Sequence, residues 1–248
     1  MEFYTFGDSN HKSIILIHGV LTPWQIWEDA IAYFKKEYYV VVPALDGHTE
    51  NAKSNYISVE DEAIQIERYI KENLNGTVYA LCGLSMGGLI AANIFMRNTC
   101  KINHLILDGA PLQKMPTILV QIMTRQYLSI IQKAKRRDQK VIRNFKKNFL
   151  PEKFLPHFLN FVDFMTDSSV KNMVNSVGQG LEIKAYHTDT KILFLHGTKV
   201  NEMISRKSAM KLLKSYPTMQ ERCFQGYMHA ELAIYHQKQW IKEIEQFI

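Results

Sequence analysis

Between Thr77 and Ala92 the chain passes from an apolar run, Thr77-Val78-Tyr79-Ala80-Leu81-Cys82, through the turn Gly83-Leu84-Ser85-Met86-Gly87-Gly88 into small, helix-compatible residues. A serine on such a strand-to-helix turn sits on strained backbone with its hydroxyl above the sheet end, and small neighbours let strand and helix close around it. Gly83 and Gly87 supply that room. A serine hydroxyl is a weak nucleophile at neutral pH, so acyl transfer needs an imidazole to take its proton and later hand it to the leaving group. His229, in Gly226-Tyr227-Met228-His229 just before the last amphipathic segment, is the natural base. A third fragment, His18-Gly19, ends an apolar run near the start of the chain. Reacting groups in open parallel sheets gather outside the carboxyl ends of the strands, and all three fragments occupy such ends. His48, His104, His187, His196 and His236 have no comparable placement, and neither a metal site nor a cofactor is expected.

The elements that must carry these groups alternate. Glu2 to Phe6 and Ser13 to Ile17 read as two strands turned at Gly7-Asp8, a hairpin feeding a buried strand. Apolar residues at helical spacing (Trp24, Trp27, Ile31, Phe34) predict a helix over 24–36, and Tyr38 to Val42 a buried strand stopped by Pro43. An amphipathic helix from Val59 to Leu74, the strand Val78 to Cys82, a helix from Met86 to Asn98 and a strand from His104 to Leu107 ending at Asp108-Gly109 follow. Continuous apolar strands joined by helices predict an α/β fold, a mostly parallel sheet covered by helices on both faces. From Pro111 to about Thr188 the alternation stops, and the sequence becomes mostly helical and rich in Met and Phe. Residues 111–188 are therefore expected to fold down as a helical cap inserted in a core made of residues 1–110 and 189–248. The alternation resumes with a strand from Lys191 to Leu195, a helix from Met203 to Tyr216, a strand from Gln220 to Gln225 and one closing helix from Glu231 to Ile248.

Composition narrows the class. A chain of 248 residues, 46% apolar, is long enough to bury a large core. The first residues lack the basic and apolar regions of a signal peptide and no apolar run is long enough to span a bilayer, so a cytoplasmic protein is expected. Cys82, Cys100 and Cys223 are too few for a disulfide framework or zinc cluster and are expected to be buried thiols. The net charge of +6 is local: Lys133 to Lys147 holds eight basic residues and one acid, Asp138, leaving 22 basic against 23 acidic residues elsewhere. Such a segment is first a solvated helix face and second a weak attraction for an anionic surface or acidic substrate. Without interleaved aromatics it does not indicate nucleic acid.

With these fragments together, the sequence resembles the α/β-hydrolase family in its cap-bearing, esterase-like branch; the resemblance rests on His18-Gly19, the turn Gly83 to Gly87, and the closing Gly226 to His229 loop with its helix. It implies that the backbone N–H groups of Val20 and Met86 hold the oxyanion, and that Asp46-Gly47-His48 is a structural turn. The family most often places an aspartate three residues after a strand-terminal glycine, and here that position is Val200. Glu202, two residues on, is the favoured acid; Asp108 is the alternative. The implied activity is that of a serine hydrolase, a carboxylesterase or lipase acting through a catalytic triad and an acyl-enzyme on a small, lipophilic ester, with Met115, Leu119 and Met123 of the cap lining the acyl pocket. A thioesterase, lysophospholipase or iminopeptidase is the alternative within the class, and a non-catalytic ligand-binding homologue the alternative outside it. Halide and epoxide chemistry on this fold uses an aspartate nucleophile, which the serine argues against.

Overall fold

The computed structural model describes residues 1–248. Seven strands form one sheet: β1 (Glu2–Phe6), β2 (Ser13–Ile17), β3 (Tyr39–Ala44), β4 (Thr77–Leu84), β5 (Lys101–Asp108), β6 (Lys191–Gly197) and β7 (Gln220–Phe224). Their spatial order is β1-β3-β2-β4-β5-β6-β7, and every neighbouring pair is parallel except β1 with β3. β2 is buried along its whole length and β4 and β5 along most of theirs, which is why they read as continuous apolar runs.

The expected β1–β2 hairpin does not form. β1 crosses to pair antiparallel with β3, Glu2 opposite Ala44 and Phe6 opposite Val40, because β2 already has β3 and β4 as parallel neighbours and offers no free edge. Nor does Pro43 stop the third strand. It lies two residues past the last β2–β3 pair, Ile15 with Val41, where its missing N–H interrupts nothing on that side.

Six helices lie outside the insertion: α1 (Glu28–Phe34), entered through a 3-10 turn at Trp24–Trp27, α2 (Val59–Asn73), α3 (Met86–Arg97), and, after the insertion, three others described below. From β2 the chain steps one way to β3 and then back past β2 to β4. Crossovers between parallel strands are right-handed, so α1 and α2 lie on opposite faces. α2 packs on α3. The reversal opens a crevice at the carboxyl ends of β2 and β4, the place where open sheets of this type bind ligands.

Between β5 and β6 come α4 (Thr117–Lys135), α5 (Gln139–Asn148), α6 (Leu155–Phe164) and α7 (Asp167–Gln179), followed by an extended stretch to Thr190. They rest on the loops at the carboxyl end of the sheet: Phe161 packs at a tilt against His48, and the Ser169 hydroxyl accepts from the Tyr56 N–H at 3.1 Å. The chain finishes with α8 (Met203–Ser215), β7, α9 (Glu231–Tyr235) and α10 (Gln237–Phe247). The single closing helix of the sequence reading is thus two, broken at His236, whose φ of −124° and ψ of 43° leave the helical region. α10 packs on α1, with Trp240 against Trp27.

Of the three cysteines expected to be buried, only Cys82 is; Cys100 is half-buried and Cys223 exposed. Cys223 lies on the edge strand β7, most of which faces solvent. No helix is long and apolar enough to cross a membrane.

Candidate active site

Ser85 is the residue between β4 and α3. Its backbone has φ 54° and ψ −115°, a conformation that costs a non-glycine residue about 1–3 kcal/mol and persists only where surrounding structure imposes it. Two contacts impose it. The Ser85 N–H donates to the Asp108 carbonyl at 2.7 Å, tying the turn to β5, and the Ser85 carbonyl accepts from Leu89 inside α3. A side chain at Gly83 would drive into the Gly87 carbonyl, and one at Gly87 into the carbonyls of Ile17 and His18. Strand, turn and helix therefore close only with glycine at both positions.

His229 comes from the loop after β7. Its Nε2 lies 2.8 Å from Ser85 Oγ, so the two groups the sequence singled out, 144 residues apart, are in hydrogen-bond contact. The loop is held by the Asn201 side chain, which accepts from the His229 N–H at 3.2 Å, and by Ala230 in the left-handed region at φ 64°. The ring sits against Gly109, where a Cβ would come within 2.9 Å of His229 Cε1. The Asp108-Gly109 pair is thus more than a turn: its glycine makes room for the imidazole.

Two carboxylates approach this imidazole. Glu202 ends a 3-10 turn, Val200–Glu202, that lies between β6 and α8; it is 1% exposed and its Oε1 is 3.4 Å from His229 Nδ1. That separation suits an ion pair but is long for a hydrogen bond, and such contacts often tighten only when substrate is bound. Burial alone would raise the Glu202 carboxyl, but His229, the Ser205 hydroxyl and the Gly197 backbone outweigh it and hold it below the ordinary value. Burial likewise pulls the His229 imidazole down, and Glu202, followed by Asp108, reverses the shift, leaving it above its usual value.

Asp108 behaves oppositely. It is 3% exposed, its Oδ2 has no partner, and it is not within ion-pair distance of His229. Burial, reinforced by the neighbouring negative charge of Glu202 and only partly offset by His229, pushes it up to about 7. Two buried carboxyls with opposite shifts beside one imidazole are a feature of functional sites. The 3.4 Å contact singles out Glu202, and nothing comparable singles out Asp108.

Val20 and Met86 occupy the two sides of the crevice. Gly19 abuts the Ser85 side chain, a Cβ on Gly19 falling 3.3 Å from Ser85 Cβ. Met86 opens α3, where an N–H has no partner within its own helix; neither it nor the Val20 N–H donates to another backbone carbonyl. The loop carrying Val20 is held by two buried histidines. His48 Nε2 accepts from the Leu21 N–H at 3.0 Å, and Leu21 sits at φ 57°. His18 Nε2 accepts from the Leu45 N–H at 3.1 Å, while its Nδ1 is 2.9 Å from the Gly19 carbonyl. Both rings must be neutral to accept these bonds. Burial lowers His18 to about 4, and burial with the adjacent His18 lowers His48 well below the usual range. The sequence reading left His48 as a turn residue; its role depends on β2 and β3 being neighbours, which no local signal carries.

Met115, Leu119 and Met123 pack against the hydrophobic core from the start of α4 and the loop before it. They do not line the cavity of about 800 Å³ between α4 and α5, whose apolar lining comes from further along, Tyr127, Ile130 and Phe145, together with Leu21. Among acidic side chains, Asp46, Asp61 and Glu62 bring carboxylate oxygens within 4.8 Å of one another. These oxygens are engaged by the protein itself: the Gln65 amide donates to Asp46 and Asp61, and the Asp46 N–H donates to Glu62.

Comparison with known proteins agrees with this architecture. Several solved structures superpose over nearly the whole chain at low identity. A protein from Desulfitobacterium hafniense assigned to the alpha/beta hydrolase family matches with a TM-score of 0.79 at 20% identity, covering 99% of both chains. A marine microorganism esterase matches at 0.79 and 17%, covering 100% of this chain and 98% of its own, and a structure described among the carboxylesterases of Nitrososphaera gargenis at 0.75 and 15%, covering 99% and 93%. These likenesses show the fold. In sequence, 108 residues are 24% identical to an AB hydrolase superfamily protein of Gibberella zeae, a match spanning 43% of this chain and 38% of that protein. The sequence pattern of the alpha/beta hydrolase fold itself matches residues 12–198, from β2 through β6. That match takes in the serine turn and most of the strands that carry the site, and the chain belongs to the alpha/beta hydrolase fold family.

Proposed function

We propose that the protein hydrolyses carboxylic esters with an apolar acyl group through a covalent acyl-enzyme. Ser85 Oγ attacks the acyl carbonyl carbon while His229 Nε2 takes the hydroxyl proton. The oxyanion is held by the N–H groups of Val20 and Met86, donors fixed before the reaction so that no reorganisation is needed as charge develops. His229 then protonates the departing alcohol oxygen. A water molecule repeats the sequence in reverse roles and releases the acid. Glu202 holds the Nδ1–H tautomer and stabilises the imidazolium. Residues 111–188 act as a cap whose apolar side chains exclude water and favour a lipophilic substrate.

The observation that carries the reading is the 2.8 Å contact between Ser85 Oγ and His229 Nε2 on a turn held at positive φ. A buried serine capping a helix would need neither the strain nor the imidazole. The test is labelling with a fluorophosphonate, which reacts with activated serines: intact-mass analysis should show one adduct on Ser85, absent in Ser85→Ala, with parallel loss of p-nitrophenyl butyrate turnover. A folded protein that takes no label and turns over no ester in a chain-length panel would mean a ligand-binding homologue instead.

A further inference from the structure

The basic segment of the sequence forms one wall of the cavity between α4 and α5. Leu21, which lines it, is two residues along the chain from Gly19, which abuts Ser85, so one lining residue lies within two peptide units of the backbone beside the nucleophile. Tyr127, Val141 and Phe145 are among the cavity's apolar lining. The same lining holds four exposed cations, Lys133, Lys140, Arg143 and Lys147.

None of the four has a carboxylate within ion-pair distance; the nearby pairs are taken by other residues, Arg137 with Asp163 and Lys146 with Glu152. Asp138, the one acid in the lining, caps α5 by accepting from the Lys140 and Val141 N–H groups, and its single negative charge offsets only part of the four. α5 is therefore two-sided, with Phe145 inward and a net positive charge around the opening, four cations against the one carboxylate of Asp138. A solvated face would gain nothing from closing over a cavity of about 800 Å³, a volume in the range of small-molecule sites, about 300–1,000 Å³.

Resting on the ester-hydrolase reading above, we propose that the substrate is an anionic single-chain amphiphile: one arm of the ester is apolar next to the carbonyl and ends in a phosphate or carboxylate that meets Lys133, Lys140, Arg143 and Lys147. The apolar wall sets affinity for the chain, and the cations select its charged end.

The test separates binding from turnover. Dodecyl phosphate and uncharged 1-dodecylglycerol, both below their micelle concentrations, are titrated calorimetrically into Ser85→Ala protein. One charge pair at about 4 Å in a water-like medium is worth about a factor of five, so several cations together should favour the phosphate by at least about tenfold at low salt, and less as salt rises. The double variant Lys140→Glu/Arg143→Glu, on the exposed side of α5, should erase that preference while leaving wild-type-background turnover of p-nitrophenyl butyrate unchanged. Dodecyl phosphate should also inhibit that turnover competitively in the wild type. Equal binding of the two amphiphiles, or a preference that survives charge reversal, overturns the proposal, as does phosphate binding without competition. Binding to phosphatidylglycerol vesicles but not to monomeric dodecyl phosphate would make the basic face a membrane contact and equally overturn it. If the amphiphile preference holds while no ester is turned over, the hydrolase reading fails and the cavity's selectivity stands.

Discussion

Replacing Glu202 by glutamine keeps its shape and removes its charge, and the structure sets the size of the effect. At 3.4 Å and an effective dielectric of about 20, a carboxylate and the imidazolium formed during attack attract by about 5 kcal/mol. The His229 ring is 30% exposed, and solvent screening reduces this to about 4 kcal/mol, or about 10³ in rate at 1.36 kcal/mol per decade. An aspartate exchanged for its amide in the equivalent role in a serine protease lowers turnover by about 10⁴. Glu202→Gln should therefore lower kcat for p-nitrophenyl butyrate by on the order of 10³, with KM changed little. The pH profile supplies a second reading. His229 must be neutral to act as base, so kcat/KM falls as pH falls through its pKa; Glu202 holds that pKa up, and in the variant the acid limb should move to lower pH.

Asp108→Asn is the control, because it removes a second buried carboxyl from the same site. Asp108 is pushed up to about 7, so near neutrality much of it already carries a proton, and an amide reproduces that form. The expected cost is below about tenfold, since a charge largely absent at the working pH contributes little to the transition state. Its stability signature has the opposite sign to an ordinary ion pair. The folded state keeps a proton that an unfolded aspartate releases near its ordinary value, so this contribution is complete below that value and is lost as pH rises through about 7. Relative to wild type, the variant should gain in Tm between pH 5 and 8. A larger loss of kcat for Asp108→Asn than for Glu202→Gln would refute the assignment of the acid.

Ser85→Ala and His229→Ala should each abolish ester turnover without unfolding, and the double variant should be scarcely slower than either, because nucleophile and base act as a unit; additive losses would dissolve the pairing. His48→Ala leaves the Leu21 N–H without its acceptor, a deficit of about 1–3 kcal/mol, and should lower kcat roughly ten- to a hundredfold with less effect on KM, whereas His48→Gln, whose amide oxygen can accept, should recover part of the loss. A fall in Tm with kcat intact would make His48 merely structural. Among p-nitrophenyl esters, kcat/KM should rise from acetate to at least butyrate, by up to about fourfold for each methylene at about 0.8 kcal/mol; a flat series would argue against an apolar acyl site.

The strands, the serine turn and the closing histidine loop were legible from sequence because each is a local pattern. A continuous apolar run buries both faces of a strand, two glycines permit one tight turn, and a histidine before an amphipathic helix follows the chain order of this fold. What remained open depended on which strands are neighbours and where long side chains end. β1 pairs with β3 because β2 has no free edge, a fact of the whole sheet and not of Gly7-Asp8. Glu202 comes within ion-pair distance of His229 and Asp108 does not because a 3-10 turn after β6 carries one carboxylate to the imidazole while the other is fixed at the last position of β5. His48 anchors the loop of Val20 only because β2 and β3 lie side by side. Likewise, the apolar residues of 111–188 announced a helical insertion, but only the packing of α4 against α5 made Tyr127 and Phe145 cavity walls and left Met115, Leu119 and Met123 against the core. Local chemistry writes the elements; convergence of side chains from distant elements follows from register and packing, which depend on the entire chain at once.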